Sequence, residues 1–246
     1  MERNAATAAP AALVFGGSRG IGAAIARRLA RDGFRVALTY ATSPGKAAEV
    51  VAAIEADGGQ AVAIAADSAD PAAIRAAVRQ AVARFGALDA AVVNAGLLRL
   101  GRLEQFTDTD LDAMLDVNIR GVFVAIQAAA GAMRDGGRII TIGSNTAIRT
   151  GSVGGAVYAM TKAAVASLVQ NLALELAPRG ITVNNIQPGP TETDMTSSMV
   201  EHLIARIPLG RIGQPDEIAG LAAWLASPAS AYMTGASLTI DGGYVL

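Results

Sequence analysis

Short β-rich apolar runs alternate with longer helical stretches along the chain. The runs are Leu13–Phe15, Val36–Tyr40, Ala61–Ala65, Ala90–Val93, Arg138–Ile142, Ile181–Ile186 and Leu238–Ile240. The helical stretches are Gly20–Asp32, Lys46–Asp57, Pro71–Phe85, Leu111–Met133, Tyr158–Ala177 and Pro215–Ala226. Strands separated by helices need crossover connections, so the pattern predicts one largely parallel sheet with helices on both faces. Turn chemistry agrees. Asp32-Gly33, Asp57-Gly58-Gly59, Asp135-Gly136-Gly137 and Arg179-Gly180 each stand where a helix is expected to stop before the next strand.

Composition narrows the organisation and removes several classes of function. At 246 residues and 24.9 kDa the chain has room for one large α/β domain or two smaller ones, and no Pro/Ser-rich linker divides it. A single domain over residues 11–246 is expected, after a loose tail at 1–10 that lacks the apolar stretch of a signal peptide. The longest uncharged stretch, Ile218 to Ile240, is broken by Ser227, Pro228, Ser230, Thr234, Gly235 and Ser237 and reads as helix, turn and strand rather than a membrane span. Hydrophobic residues at 52% and charged residues at 17% rule out wholesale disorder. Twenty basic against twenty-one acidic residues, without a run of like charge, argue against nucleic acid as a partner. Cysteine is absent, which removes disulfides, thiolate chemistry and cysteine-ligated zinc; the single His202 leaves no histidine cluster for another metal. A reducing cytoplasm is compatible with that composition and is the expected location.

The first candidate chemistry follows the first strand: Gly16-Gly17-Ser18-Arg19-Gly20-Ile21-Gly22, then the helical run from Ala23. Glycine permits close backbone approach, and the unpaired N–H groups of a helix amino terminus attract phosphate oxygens. A glycine-rich turn at the first βα junction of an alternating chain therefore points to a dinucleotide site. A second candidate is Tyr158 with Lys162, one helical turn apart on one face. A phenol ordinarily titrates near 10, so proton transfer near neutrality asks for a shift of about 3 units, much of which a neighbouring ammonium can supply. Ser144, after the fifth strand, offers a hydroxyl to a carbonyl oxygen on which negative charge develops.

These pieces together resemble the short-chain dehydrogenase/reductase family, from about Ala11 to the carboxyl terminus. The resemblance rests on the G-x-x-x-G-x-G spacing of Gly16, Gly20 and Gly22, on Asn94-Ala95-Gly96, Asn118 and Ser144, on Tyr158-Ala159-Met160-Thr161-Lys162, and on Pro188-Gly189, in that order. It implies a Rossmann-type doubly wound sheet of seven mainly parallel strands with helices on both faces. It further implies that Asn118, Ser144, Tyr158 and Lys162 are catalytic: Tyr158 transfers a proton while a nicotinamide transfers hydride, and Asn118 holds a water linking Lys162 to solvent. One departure is visible. Phe15 stands where many members carry Thr, so a polar contact supporting the glycine turn is expected to be missing.

The same resemblance places the cofactor. Gly16, Ser18, Arg19, Gly20, Ile21 and Gly22 would cradle the phosphates, Asp67 and Ser68 would touch the adenine, and Asn94, Ala95 and Gly96 would lie near its ribose. Tyr158, Lys162, Pro188, Gly189, Thr191 and Thr193 would surround the nicotinamide end and the phosphates. The second strand ends at Tyr40 and the chain continues through Ala41, Thr42 and Ser43 without the acid that would repel a 2′-phosphate. With Arg19 nearby, NADP(H) is expected in preference to NAD(H); the alternative is an Arg19 that points into solvent and a site indifferent to the phosphate.

Residues 190–213 mix Met195, Met199, Leu203, Ile204 and Ile207 with polar groups and match the family's substrate lid; the alternative is a short helix simply packed on the body. Leu97, Leu98, Thr146, Val153 and Val157 are further candidates for the pocket wall. His202, Arg206 and Arg211 read as surface or lid-packing residues. A homotetramer assembled through the long helices and the carboxyl-terminal strand is implied by resemblance. The leading expectation is an NADP(H)-dependent carbonyl reductase for a small molecule. A 3-oxoacyl-acyl-carrier-protein reductase and a cyclic-di-GMP-binding mediator of biofilm dispersal are the alternatives.

Overall fold

The computed structural model describes residues 9–149, 153–197 and 200–246. Strands β1 (Ala11–Phe15), β2 (Arg35–Tyr40), β3 (Ala61–Ala65), β4 (Leu88–Val93), β5 (Met133–Ile142), β6 (Thr182–Pro188) and β7 (Ser237–Ile240) form one sheet in the order β3-β2-β1-β4-β5-β6-β7. Each neighbouring pair is parallel, so the sheet is wholly rather than mainly parallel. The helices are α1 (Gly20–Arg31), α2 (Pro44–Ala56), α3 (Pro71–Phe85), α4 (Asp108–Leu115), α5 (Val122–Ala132), α6 (Ala156–Leu176), α7 (Val200–Ile204) and α8 (Pro215–Ala226).

The strand periodicity divides the core into two layers. Ala11, Leu13 and Phe15 of β1 point into the layer covered by α3, α5 and α6, while Ala12 and Val14 point into the layer covered by α1, α2 and α8. Both faces of the central strands are thus buried, which explains why their sequences read as continuous apolar runs. Small side chains at Ala23, Ala26, Ala219, Ala222 and Ala223, all nearly or fully buried, line the helix faces of the second layer.

Three expectations change. The stretch read as one helix from Leu111 to Met133 starts at Asp108, capped by Thr107, and winds as a π-turn over Asp116–Gly121 between α4 and α5. The Asp135-Gly136-Gly137 stop lies inside β5: the register shifts opposite Leu88 and Ala90, and Gly136 has a φ of +79°, so the glycines form a bulge instead of ending a helix. The amino-terminal tail shortens, because the Ala9 and Pro10 carbonyls accept hydrogen bonds from the Arg35 side chain (2.9 Å) and backbone (2.8 Å); residues 1–8 lie outside the described residues. The span Asp108–Ala132 is long and apolar enough to cross a membrane by composition, yet half of its most apolar window is buried inside the fold, where α5 packs on α3 and the sheet.

Candidate active site

Chain connections run to opposite sides from β1 and β4, so the loops at their carboxyl ends diverge and leave a crevice at the sheet's switch point. The glycine turn lies on one side. Gly16 (φ +72°) and Gly20 (φ +52°) adopt left-handed backbone, and a Cβ on Gly16 would stand 2.9 Å from the Ala95 Cα. A Cβ on Gly22 would strike the Gly16 carbonyl, so both positions have no room for a side chain. Among the described residues no side chain caps α1, and its first turn holds no acid, so its positive dipole end is left for an anion. The glycine cradle therefore fits a phosphate-bearing cofactor.

Support for the turn comes from an unexpected place. Phe15 is buried in the core, and the contact it cannot make is supplied from the neighbouring strand: Gly16 N donates to Thr39 Oγ1 (2.9 Å) and Gly17 N to the Thr39 carbonyl (2.9 Å). Asn94 closes the other side, its Nδ2 donating to the Gly16 carbonyl at 2.8 Å. Sequence reading assigns Asn94 to the cofactor and overlooks Thr39; a buried threonine in an apolar strand was the available signal.

Around the rest of the crevice, Ser18 is buried at the turn while Ile21 is half-buried against the α1–α8 layer. Tyr40, Ala41, Thr42 and Ser43 continue from β2 to the start of α2 without a carboxylate. Arg19 reaches Asp194 at 3.4 Å, and Lys46, on the first turn of α2, reaches the same Asp194 Oδ2 at 3.0 Å. Lys46, then Arg19, holds the Asp194 carboxyl below the usual carboxylate range. Asp67 Oδ1 accepts from Ala69 N at 2.9 Å, and the Ser68 carbonyl packs so closely on Gly121 that a Cβ there would strike it. Pro188 ends β6, and Gly189 sits against Asp241 with no space for a Cβ. Thr191 is a structural tie: it is buried, bridges to Gly213, and donates from Oγ1 to the Gly189 carbonyl at 3.0 Å. The Thr193 methyl lies 3.1 Å from where a Gly20 Cβ would be, so the start of the 190–213 segment rests on the glycine turn.

The four polar residues at the other end of the crevice come together from three segments. Ser144 follows β5 and caps a short turn at Asn145–Ala147, its Oγ accepting from Thr146 N (3.2 Å) and Thr146 Oγ1 (2.9 Å). Tyr158 and Lys162 lie on α6, with the Lys162 ammonium 5.6 Å from the Tyr158 ring centre. Lys162 is 4% exposed; Nζ donates to the Ile142 carbonyl at 2.9 Å, and burial pushes its pKa down to about 8. Asn118 sits in the π-turn, fully buried, where such irregular turns commonly mark function. Its Oδ1 accepts from Leu97 N (2.8 Å), and its Nδ2 donates to the Leu97 carbonyl (2.9 Å) and Thr161 Oγ1 (3.1 Å). Gly96 completes the contact, for a Cβ there would lie 3.4 Å from Lys162 Nζ and 3.7 Å from Asn118 Oδ1.

One expectation is corrected here. Burial pushes the Tyr158 phenol up to about 12, and the hydrogen bond with Ser144 pulls it only partly back. Desolvation thus outweighs the neighbouring groups at Tyr158, and Lys162 Nζ is bonded to the Ile142 carbonyl.

The segment 190–213, expected as a lid, is pinned at both ends of its range. Thr191 bridges to Gly213, and Arg211 makes a two-pronged ion pair with Glu217 (2.8 and 2.7 Å) at the start of α8. The Glu217 carboxyl, which also caps Gln214 N, is pulled down to about 2 by Arg211 first and Gln214 second. His202 is exposed on α7, and the Arg206 guanidinium lies 4.6 Å from the Tyr244 ring centre. Met199 lies outside the described residues. An open depression of about 600 Å³ takes in Thr146, Ile148, Val153, Met160 and Ala163; Leu97, Leu98 and Val157 do not line it.

Known proteins are similar to the chain over nearly its whole length. The family described as Enoyl-(Acyl carrier protein) reductase matches residues 16–245. The chain is 42% identical over 235 residues to the cyclic-di-GMP-binding biofilm dispersal mediator protein of Escherichia coli, covering 94% of this chain and 95% of that one. It is 42% identical over 238 residues to a 3-oxoacyl-[acyl-carrier-protein] reductase of Staphylococcus aureus, covering 94% and 96%. Among solved structures, a short-chain dehydrogenase/reductase from Serratia marcescens superposes with a TM-score of 0.95 at 52% identity, covering 97% and 99%. A short chain dehydrogenase from Burkholderia cenocepacia in complex with NADP superposes at 0.94 and 49% identity, covering 96% and 98%.

Proposed function

The chain belongs to the short-chain dehydrogenase/reductase family, and we propose that within it the protein is an NADP(H)-dependent oxidoreductase reducing a small ketone or aldehyde reversibly to its alcohol. The observation that carries this reading is the convergence of Ser144, Tyr158 and Lys162 beside the glycine crevice. The cofactor preference draws on the acid-free end of β2, on Arg19 and Lys46 beside it, and on the NADP bound by the Burkholderia relative.

When bound in the crevice, NADPH supplies the hydride. The chain's own part is proton delivery and positioning. Ser144 Oγ accepts two hydrogen bonds from Thr146, so its single proton points to the Tyr158 oxygen and is placed to pass to a carbonyl oxygen bound between the two hydroxyls. A phenol held at about 12 stays protonated through neutrality, which suits Tyr158 as the donor to that oxygen. The Lys162 ammonium, held beside the ring by the Ile142 carbonyl, is placed to return a proton to Tyr158 and to regain one from solvent. Asn118 acts as a positioning residue, fastening the Leu97 backbone to Thr161 beside Lys162.

A homotetramer through α5 and α6 is part of the same proposal, drawing on the exposed Phe123, Met160 and Leu174 along those helices. The Escherichia coli relative favours a second reading, a cyclic dinucleotide sensor. Retention of the protonated Tyr158 next to Lys162 weighs against it, since binding alone needs no proton donor.

The test mixes purified protein with NADPH and a panel of small ketones, aldehydes and a 3-oxoacyl thioester, following cofactor absorbance. Turnover that Tyr158→Phe abolishes with cofactor affinity retained supports the enzyme. An inert protein that binds cyclic-di-GMP tightly overturns it in favour of the sensor, and turnover confined to the thioester shifts the substrate to an acyl carrier.

A further inference from the structure

Two cations from different segments converge on one oxygen. Arg19, at the amino end of α1, and Lys46, on the first turn of α2, both meet Asp194 Oδ2, at 3.4 and 3.0 Å. They flank the stretch Tyr40 to Ser43, where the absence of an acid leaves the pair uncompensated by anything on β2. Among the described residues their shared anion is Asp194 of the lid, 148 residues from Lys46 and 175 from Arg19. Its place there is fixed by the chain: Thr196 Oγ1 donates to the Thr191 carbonyl at 2.6 Å, Thr196 N donates to the Thr193 carbonyl at 3.1 Å, and the Thr193 methyl rests near Gly20.

We propose that Asp194 is a built-in competitor for the cofactor's 2′-phosphate, occupying the Arg19–Lys46 pair until the phosphate displaces it and frees the lid base from the glycine turn. This rests on the NADP(H) reading above. A phosphate monoester offers about −1.5 to −2 charge and three acceptor oxygens against one for the carboxylate oxygen that now serves both cations. The three side chains are 51–62% exposed, so the bridge is a weak, salt-screened one that a dianion can replace. Lys46 thereby becomes a specificity-determining residue alongside Arg19, and NADP(H) entry is coupled to the lid while NAD(H), lacking the 2′-phosphate, leaves the bridge closed.

The experiment titrates NADPH, NADH, 2′-AMP and 5′-AMP into wild type, Asp194→Asn and Lys46→Gln, at low and high ionic strength, reading binding directly. Asp194→Asn is expected to tighten NADPH and 2′-AMP by about two- to five-fold at low salt, with the gain lost at high salt and with NADH and 5′-AMP unchanged. Lys46→Gln weakens NADPH and 2′-AMP alone. Unchanged or weaker NADPH binding by Asp194→Asn, in a protein that still prefers NADPH, overturns the competitor and leaves the cofactor reading standing. A wild type that binds NADH as tightly as NADPH overturns the cofactor reading itself.

Discussion

The Lys162 ammonium lies 5.6 Å from the centre of the Tyr158 ring and donates to the Ile142 carbonyl at 2.9 Å, so the α6 pair is tied to the end of β5. That bond holds the charge beside the phenol but not on it. The helix gives the pair its spacing, and the strand fixes its direction.

This geometry sets a pH dependence for carbonyl reduction. With Lys162 held at about 8 and Tyr158 at about 12, the phenol stays protonated throughout the neutral range while the ammonium discharges above pH 8. kcat/KM is expected to be flat below that point and to fall above it. In Lys162→Met the falling limb disappears and the rate is low at every pH; a limb that survives the substitution assigns it to another group.

The same lysine costs stability. A cation whose folded pKa is lowered from 10.5 to about 8 destabilises the native state fully below pH 8, and the penalty fades as pH rises to 10.5. The unfolding free energy of wild type relative to Lys162→Met is therefore expected to rise by up to ~3 kcal/mol between pH 8 and 10.5. Denaturant melts at the two pH values measure it, and a constant difference contradicts the buried charge.

Thr39 is expected to matter through the glycine turn alone. Thr39→Val keeps the shape and removes the hydroxyl that accepts from Gly16 N, leaving that donor unpaired at a cost of about 1–3 kcal/mol. Cofactor affinity falls along with melting temperature, whereas Phe15→Leu, which leaves the turn's hydrogen bonds intact, lowers the melting temperature chiefly.

At the start of α8, Glu217→Gln removes a charge that both pairs with Arg211 and caps the helix. These are surface contacts, so the stability loss is about 0.5–1 kcal/mol. The wild-type contribution is present above the ordinary carboxylate pKa near 4.5 and is lost as pH falls through about 2. KM for the carbonyl substrate is expected to rise more than kcat falls, because the tie between Arg211 and α8 loosens without the proton donor moving. Steady-state kinetics read the split.

Local chemistry made a good part of this molecule legible in the chain itself. Alternating apolar runs predicted seven strands, because strands buried on both faces leave few polar residues in their sequences, and the parallel sheet follows from helical crossovers. Glycines without room for a Cβ, and a tyrosine one turn from a lysine, are visible because their physical requirement lies within a few residues. Tertiary contacts decided what joins distant segments. Thr39 supports the glycine turn across a strand pair, Asn118 reaches the lysine's neighbour from a π-turn, and Asp194 meets Lys46 over 148 residues. The direction of the Tyr158 shift was likewise settled by folding, since desolvation depends on everything packed around a group while sequence spacing shows only its nearest charge.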